Sequence, residues 1–165
     1  MHVAYLSLGS NLDPERHLRA AADALRARFG EVAFSAVLRT PAMGFDGPDF
    51  LNAAAIVRTE LDVHALDAWL HALEAAQGRD RSGPRFGSRT LDIDIVLFDD
   101  LELAPSGDSH LQIPRPDLRH GFVLQPLAQI APDTVVPGDG RTLAALWAAR
   151  RQHAVRLPPA DLRLD

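Results

Sequence analysis

The chain contains no lysine, so all 17 of its basic residues are arginine. That absence excludes a Gly-Lys-Ser/Thr phosphate loop, a kinase-type strand lysine and any Schiff-base lysine. Phosphoryl chemistry here must rely on arginine and metal. Cysteine is also missing, which removes zinc-thiolate sites, disulfides and thiol catalysis. No apolar run approaches the length of about 18 residues needed to span a bilayer, and no basic leader precedes an apolar stretch at the amino terminus. A soluble, cytoplasmic protein is the expectation. With one tyrosine and a net charge of −5, the chain also lacks the exposed aromatics and basic surface by which a sheet module reads RNA.

What is present fits one ordinary domain: 165 residues, 47% hydrophobic and 24% charged, enough for a real core. A single domain over 1–165, monomeric, with neither nucleic-acid nor membrane partners, is expected. The overall charge is acidic, yet residues 79–89 carry four arginines against one aspartate. Basic character focused in this way suits a small anionic ligand better than a polyanion.

The segment Arg85-Phe86-Gly87-Ser88-Arg89-Thr90-Leu91-Asp92-Ile93-Asp94 carries most of the chemistry. Alternation along a strand puts Asp92 and Asp94 on one face and Ile93, Ile95 and Leu97 on the other. Attachment points about 7 Å apart imply a repulsion of about 2 kcal/mol at an effective dielectric near 20. Aspartate is depleted in strands and like charges on one face oppose each other, which weighs against two carboxylates merely facing water. Magnesium suits the pair, since it takes carboxylate oxygens together with substrate phosphates. The arginines Arg79, Arg81, Arg85 and Arg89 supply planar forks for phosphate. Taken alone they could be only a solvated loop.

Along the chain, Val3–Leu8 reads as a buried strand ended by Gly9-Ser10-Asn11. A helix follows with Asp13 as cap and Pro14 at its first position, presenting Leu18, Ala21, Ala22, Leu25 and Phe29 and closing at Gly30. Residues 32–38 alternate as a second strand that stops near Thr40-Pro41, and Leu51–Thr59 is a third. Asp62 caps a helix with Leu66, Trp69, Leu70 and Leu73 inward, ending at Gly78. His64, Asp67, His71 and Glu74 form its polar stripe, which is usually only a wet face. Glu74 is the exception, lying in the last turn where a cation partner is expected. Leu91–Phe98 is the fourth strand, and Leu111–Pro114 a short edge segment. Phe122–Ile130 is a helix with Pro126 in its first turn, Thr142 caps another through Arg151, and the tail from Pro158 is expected to be the most mobile part. Strand, helix, strand, strand, helix, strand is the order of an α+β, ferredoxin-like fold, with helices on one face of an antiparallel sheet and C-terminal additions.

Several segments together resemble the 6-hydroxymethyl-7,8-dihydropterin pyrophosphokinases of folate biosynthesis. They are residues 4–12 (AYLSLGSNL), Arg39-Thr40-Pro41, residues 49–54 (DFLNAA), Gln77-Gly78-Arg79, the arginine–aspartate segment, and Gly121-Phe122-Val123-Leu124 with Pro126-Leu127. The resemblance implies transfer of the ATP pyrophosphoryl group to the pterin hydroxymethyl group, with release of AMP. It implies two Mg2+ ions on Asp92 and Asp94, catalytic roles for these and for Arg79 and Arg89, and an ATP side made by Glu74, Arg81, Arg85, Phe86, Arg89 and Arg115. Phe50 and Phe122 would sandwich the pterin, Asn52 would read its edge, and the backbone of Thr40, Pro41 and Met43 would add hydrogen bonds. The chain departs from the family at Arg115, where a histidine is usual, and at His110, where an arginine often lies. Arg119 and His120 could make up the contacts from shifted positions.

Two other classes fit less well: a pterin-binding paralogue with another donor or little catalysis, and a metal-dependent phosphatase, for which paired aspartates and arginines also suffice.

Overall fold

Strand β1 (His2–Ser10) runs through the middle of the molecule, with every residue from His2 to Ser10 paired antiparallel to β4 (Phe50–Thr59). On its other side it pairs antiparallel with β5 (Asp92–Phe98). The computed structural model describes residues 1–41, 47–78, 90–151 and 157–165. The two short strands β2 (Ala33–Phe34) and β3 (Leu38–Thr40) both pair with β4, giving a five-stranded antiparallel sheet. Helix α1 (Pro14–Phe29) follows β1, and α2 (Val63–Ala76) links β4 to β5. This is the expected split βαβ order.

Alternation in β1 and β5 explains which way the sheet faces. Leu6, Leu8, Ile93 and Ile95 are fully buried with Leu18, Ala21, Leu25, Leu66 and Leu70 of α1 and α2. Each such leucine or isoleucine removed from water contributes about 2 kcal/mol. Asp62 caps α2 as expected, its Oδ1 accepting the Ala65 N–H at 2.8 Å. Asp13 does not cap α1 with its side chain; it sits in a left-handed conformation (φ 49°), and its backbone carbonyl accepts from His17.

The opposite face is not bare, contrary to the expectation of helices on one side only. Helices α3 (Gly121–Ile130) and α4 (Leu143–Arg151) pack there in a second core with Ala54, Val96, Leu97, Val123, Leu124 and Leu127. Leu97 was expected beside Ile95. A bulge opposite Tyr5 and Leu6 inserts Val96 into β5 and turns Leu97 to the α3 side. Pro126 lies in the interior of α3, beyond the first turn, so the Phe122 carbonyl cannot receive its usual helical donor. Thr142 caps α4 through Ala145 N–H, as expected.

The second strand is split because Ser35 stands in for the ladder. Its N–H donates to the Ala54 carbonyl and its Oγ accepts the Ala54 N–H at 2.8 Å, while Gln129 of α3 accepts from Ala36. The tail, expected to be mobile, packs instead. Leu162 and Leu164 enter the main core, Arg39 N–H donates to the Pro158 carbonyl and Ala160 N–H to the Val37 carbonyl, so the tail extends the sheet beyond β3. Gln125 grips the Leu157 backbone from both sides. Among the described residues no helix is long and apolar enough to cross a membrane.

Candidate active site

Asp92 and Asp94 share the face of β5 that looks away from α1 and α2, alternating with Ile93 and Ile95, which are 1% exposed. Their cross-strand partners on β1 are Gly9 and Ser7. Asp94 is half-buried, and its carboxyl is pushed up to about 8, first by burial and then by the charge of Asp92, with Glu74 and Asp117 adding to the effect and Arg115 opposing it. Two carboxylates on one face of a strand repel each other, and a hard divalent cation between them would relieve that repulsion. Among the described residues no group of three or more His, Asp or Glu side chains forms a metal cage. A metal on Asp92 and Asp94 would take further oxygens from substrate or water, as magnesium commonly does.

Arg115 is delivered to this face by the segment between β5 and α3. Its backbone N–H donates to the Val96 carbonyl at 2.9 Å, and a 3₁₀ turn over Pro116–Arg119, not foreseen from the sequence, buries Leu118. The guanidinium lies 3.5 Å from Asp94 and 3.3 Å from Asp117. Burial works against its charge, but Asp94, Asp117 and Asp92 outweigh burial and raise its pKa. Arg115, which the resemblance assigns to the nucleotide side, thus stands against Asp94, and Asp117 is a partner that sequence reasoning missed.

Glu74 was expected to take a cation. It is 1% exposed beneath β5, and one of its oxygens accepts the Ile93 N–H at 3.1 Å. The other members of its stripe behave as a wet face, with His64 and His71 exposed. The signal for Glu74 was positional: at the end of α2 it stands one turn from the core residue Leu70 and beside Leu73.

The second half of the site is built across the same row of the sheet. Asn52, Gly9 and Asp92 are consecutive cross-strand partners on β4, β1 and β5. At the usual strand spacing Asn52 and Asp92 are therefore about 10 Å apart at the backbone. Asn52 is 5% exposed, and its Nδ2 donates to Thr40 Oγ at 2.8 Å, which fixes the direction of the amide. A Cβ added at Gly9 would lie 2.8 Å from Asn52 Oδ1. The glycine is needed there for close approach, a requirement the sequence motif did not explain. Phe50 is half-buried at the start of β4, and Asn11 donates to the Pro48 carbonyl at 3.1 Å, holding the chain that leads into it.

Phe122 is half-buried at the start of α3, and its ring stacks on His120 at 5.2 Å with an 8° interplanar angle. Burial, opposed by Asp117, holds the His120 pKa below the ordinary histidine value, with Arg119 and Arg150 acting in the same direction as burial. Neutral imidazole is what stacks on the phenyl ring at neutral pH. Pro41 is exposed at the end of β3. Met43, Arg79, Arg81, Arg85, Phe86 and Arg89 lie outside the described residues.

Comparison with known proteins bears on this arrangement. The 7,8-dihydro-6-hydroxymethylpterin-pyrophosphokinase family profile matches residues 5–132. A 2-amino-4-hydroxy-6-hydroxymethyldihydropteridine pyrophosphokinase from Methylorubrum extorquens is 43% identical over 144 residues, 84% of this chain and 89% of that protein. Its counterpart from Pseudomonas aeruginosa is 41% identical over 169 residues, covering 94% and 97% of the two chains. Among solved structures, the HPPK-DHPS of Plasmodium falciparum aligns with a TM-score of 0.67 at 13% identity, over 94% of this chain and 46% of that one. An HPPK-DHPS in complex with substrates aligns with a TM-score of 0.71 at 12% identity. At those identities the structures speak to the fold alone, and this chain spans less than half of each, whereas the two bacterial relatives match along most of their length. On the profile and on those relatives, this chain belongs to the 7,8-dihydro-6-hydroxymethylpterin pyrophosphokinase family.

Proposed function

We propose that the chain transfers the pyrophosphoryl group of ATP to the hydroxymethyl group of 6-hydroxymethyl-7,8-dihydropterin, giving AMP and the pterin diphosphate, a step of folate biosynthesis. The observation that carries this reading is the row Asn52–Gly9–Asp92. It sets a fixed amide beside a carboxylate pair, across a floor left open by glycine. An amide offers a donor and an acceptor to the edge of a flat heterocycle. Phe50 and Phe122 supply the ring faces for stacking, and the backbone from Thr40 and Pro41 toward Met43 supplies further hydrogen bonds.

The transfer forms a bond between the hydroxyl oxygen and the β-phosphorus as the bridge to the α-phosphate breaks. The hydroxyl proton leaves to an ATP oxygen or to water. Asp92 and Asp94 would hold two Mg2+ ions, which when bound neutralise the triphosphate and help set it in line. Arg79, Arg81, Arg85 and Arg89 carry the charge that spreads over the phosphates, and Phe86 and Arg115 complete the nucleotide side. Glu74 fixes the start of β5 by holding the Ile93 N–H, which keeps the two aspartates in register. The chain works on these small molecules as a monomer.

The test is product analysis. Purified protein with MgATP and the hydroxymethyl dihydropterin should release AMP and pterin diphosphate in equal amounts. Pterin binding without AMP would favour the low-activity paralogue, and inorganic phosphate in place of AMP would favour a hydrolase.

A further inference from the structure

The carboxylate pair already has a cation within reach. Arg115 Nη2 lies 3.5 Å from Asp94 Oδ1, and its Nε lies 3.3 Å from Asp117 Oδ2, so one guanidinium is shared between an acid of the site and an acid outside it. The side chain is 31% exposed and Asp94 22%, so the contact is only partly screened by water. The Arg115 backbone is tied to β5 through the Val96 carbonyl, so the residue cannot drift away while its side chain still has rotatable bonds. A magnesium ion binds a carboxylate oxygen at about 2 Å. On Asp94 Oδ1 it would lie within about 6 Å of the present guanidinium nitrogen. Charges of the same sign do not share one oxygen at that range without repulsion.

We propose that Arg115 is a resident counter-ion for Asp94 that metal must displace, and that displacement frees its guanidinium for the phosphates of the nucleotide, with Asp117 keeping it nearby. The inference rests on the proposed use of Asp92 and Asp94 as metal ligands. It assigns to Arg115 an action that a histidine in the same place, mostly neutral at physiological pH and shorter, would not perform in the same way. Two consequences follow from a single exchange. Metal binding without nucleotide is weakened by competition with Arg115, and metal and triphosphate reinforce one another because each favours the same swing of the side chain.

The experiment is a titration of nucleotide-free protein with MgCl2 at constant ionic strength and pH, read by calorimetry and by melting temperature. Wild type, Arg115→Met, Arg115→Gln and Asp94→Asn are compared, and then titrated with the nonhydrolysable analogue AMPPCP at fixed Mg2+. Both Arg115 variants should bind Mg2+ at least tenfold more tightly than wild type when nucleotide is absent. They should also show a smaller gain in Mg2+ affinity when AMPPCP is added. Arg115→Gln guards against a packing fault in the methionine variant, and circular dichroism verifies that each is folded. Unchanged or weaker Mg2+ binding in both folded variants would overturn the inference while leaving the metal reading intact. If instead Asp94→Asn binds Mg2+ and AMPPCP as wild type does, the metal reading itself fails, and the inference fails with it.

Discussion

Replacing Asp94 with asparagine should stabilise the metal-free protein while disabling it. The folded structure pushes the Asp94 carboxyl up to about 8, chiefly by burial and by Asp92. An ordinary aspartate in the unfolded chain titrates near 3.9. Below about pH 4 both states hold the proton and the site costs nothing. As pH rises toward 8 the unfolded chain gives up its proton while the folded protein retains it, so stability falls through that window and levels off above it. At pH 7 the accumulated cost is at most about 4 kcal/mol, because water entering the site or movement of Arg115 would relieve part of it. If a quarter to a half of it is realised, Asp94→Asn should raise the melting temperature by about 2–8 °C, at about 2–4 °C per kcal/mol for a chain of this size. The assay is thermal unfolding in EDTA at pH 7 and again at pH 4, where the advantage should vanish. Added Mg2+ and AMPPCP should then stabilise wild type and not the variant. A variant no more stable than wild type at pH 7, or equally advantaged at both pH values, would refute the argument that this carboxylate is held at a cost.

Asp92→Ala should reduce turnover below detection and leave pterin affinity within about twofold, measured by fluorescence titration with the pterin; full activity would remove its metal role. Gly9→Ala drives a methyl group to 2.8 Å from Asn52 Oδ1 and should destabilise by about 1–3 kcal/mol, while raising the pterin dissociation constant at least tenfold; wild-type pterin binding would show that the amide can yield. Asp62→Ala removes the bond to Ala65 N–H and should cost about 1 kcal/mol in urea unfolding, with no change in the pterin dissociation constant. Leu162→Ala hollows a residue that is 6% exposed in the main core and should cost about 2–4 kcal/mol; a loss near zero would mean the tail adds nothing to the fold.

The order of elements and the two core-facing helices were legible because periodicity is a local signal. Leu18, Ala21, Leu25, Leu66 and Leu70 recur at helical spacing, and all are buried. The shared face of Asp92 and Asp94 was readable for the same reason, since alternation needs only neighbours in sequence. Leu97 was misplaced because the bulge arises from pairing with β1, about ninety residues away, and leaves no mark in β5 itself. The break at Ser35 was hidden in the same way, because the hydroxyl competes with the ladder only when Ala54 lies opposite. Pro158-Pro159 suggested a loose end, yet tertiary pairing with Val37 and Arg39 overrode that local impression. At the site, Arg115 was indicated only by the resemblance, its link to Asp117 depends on the 3₁₀ turn, and the burial of Glu74 depends on where α2 meets β5.

Glu74 also bears on how easily this protein meets its own kind. Strand β5 forms one margin of the sheet, and a margin normally offers bare amide and carbonyl groups to any passing chain. Here the acid of α2 occupies the Ile93 amide and the Arg115 main chain occupies the Val96 carbonyl. Guarding against self-association and arranging the reacting groups therefore fall to overlapping residues. A Glu74→Ala protein, with the Ile93 amide bared, should self-associate more readily than wild type, and light scattering should accompany every rate measured on it.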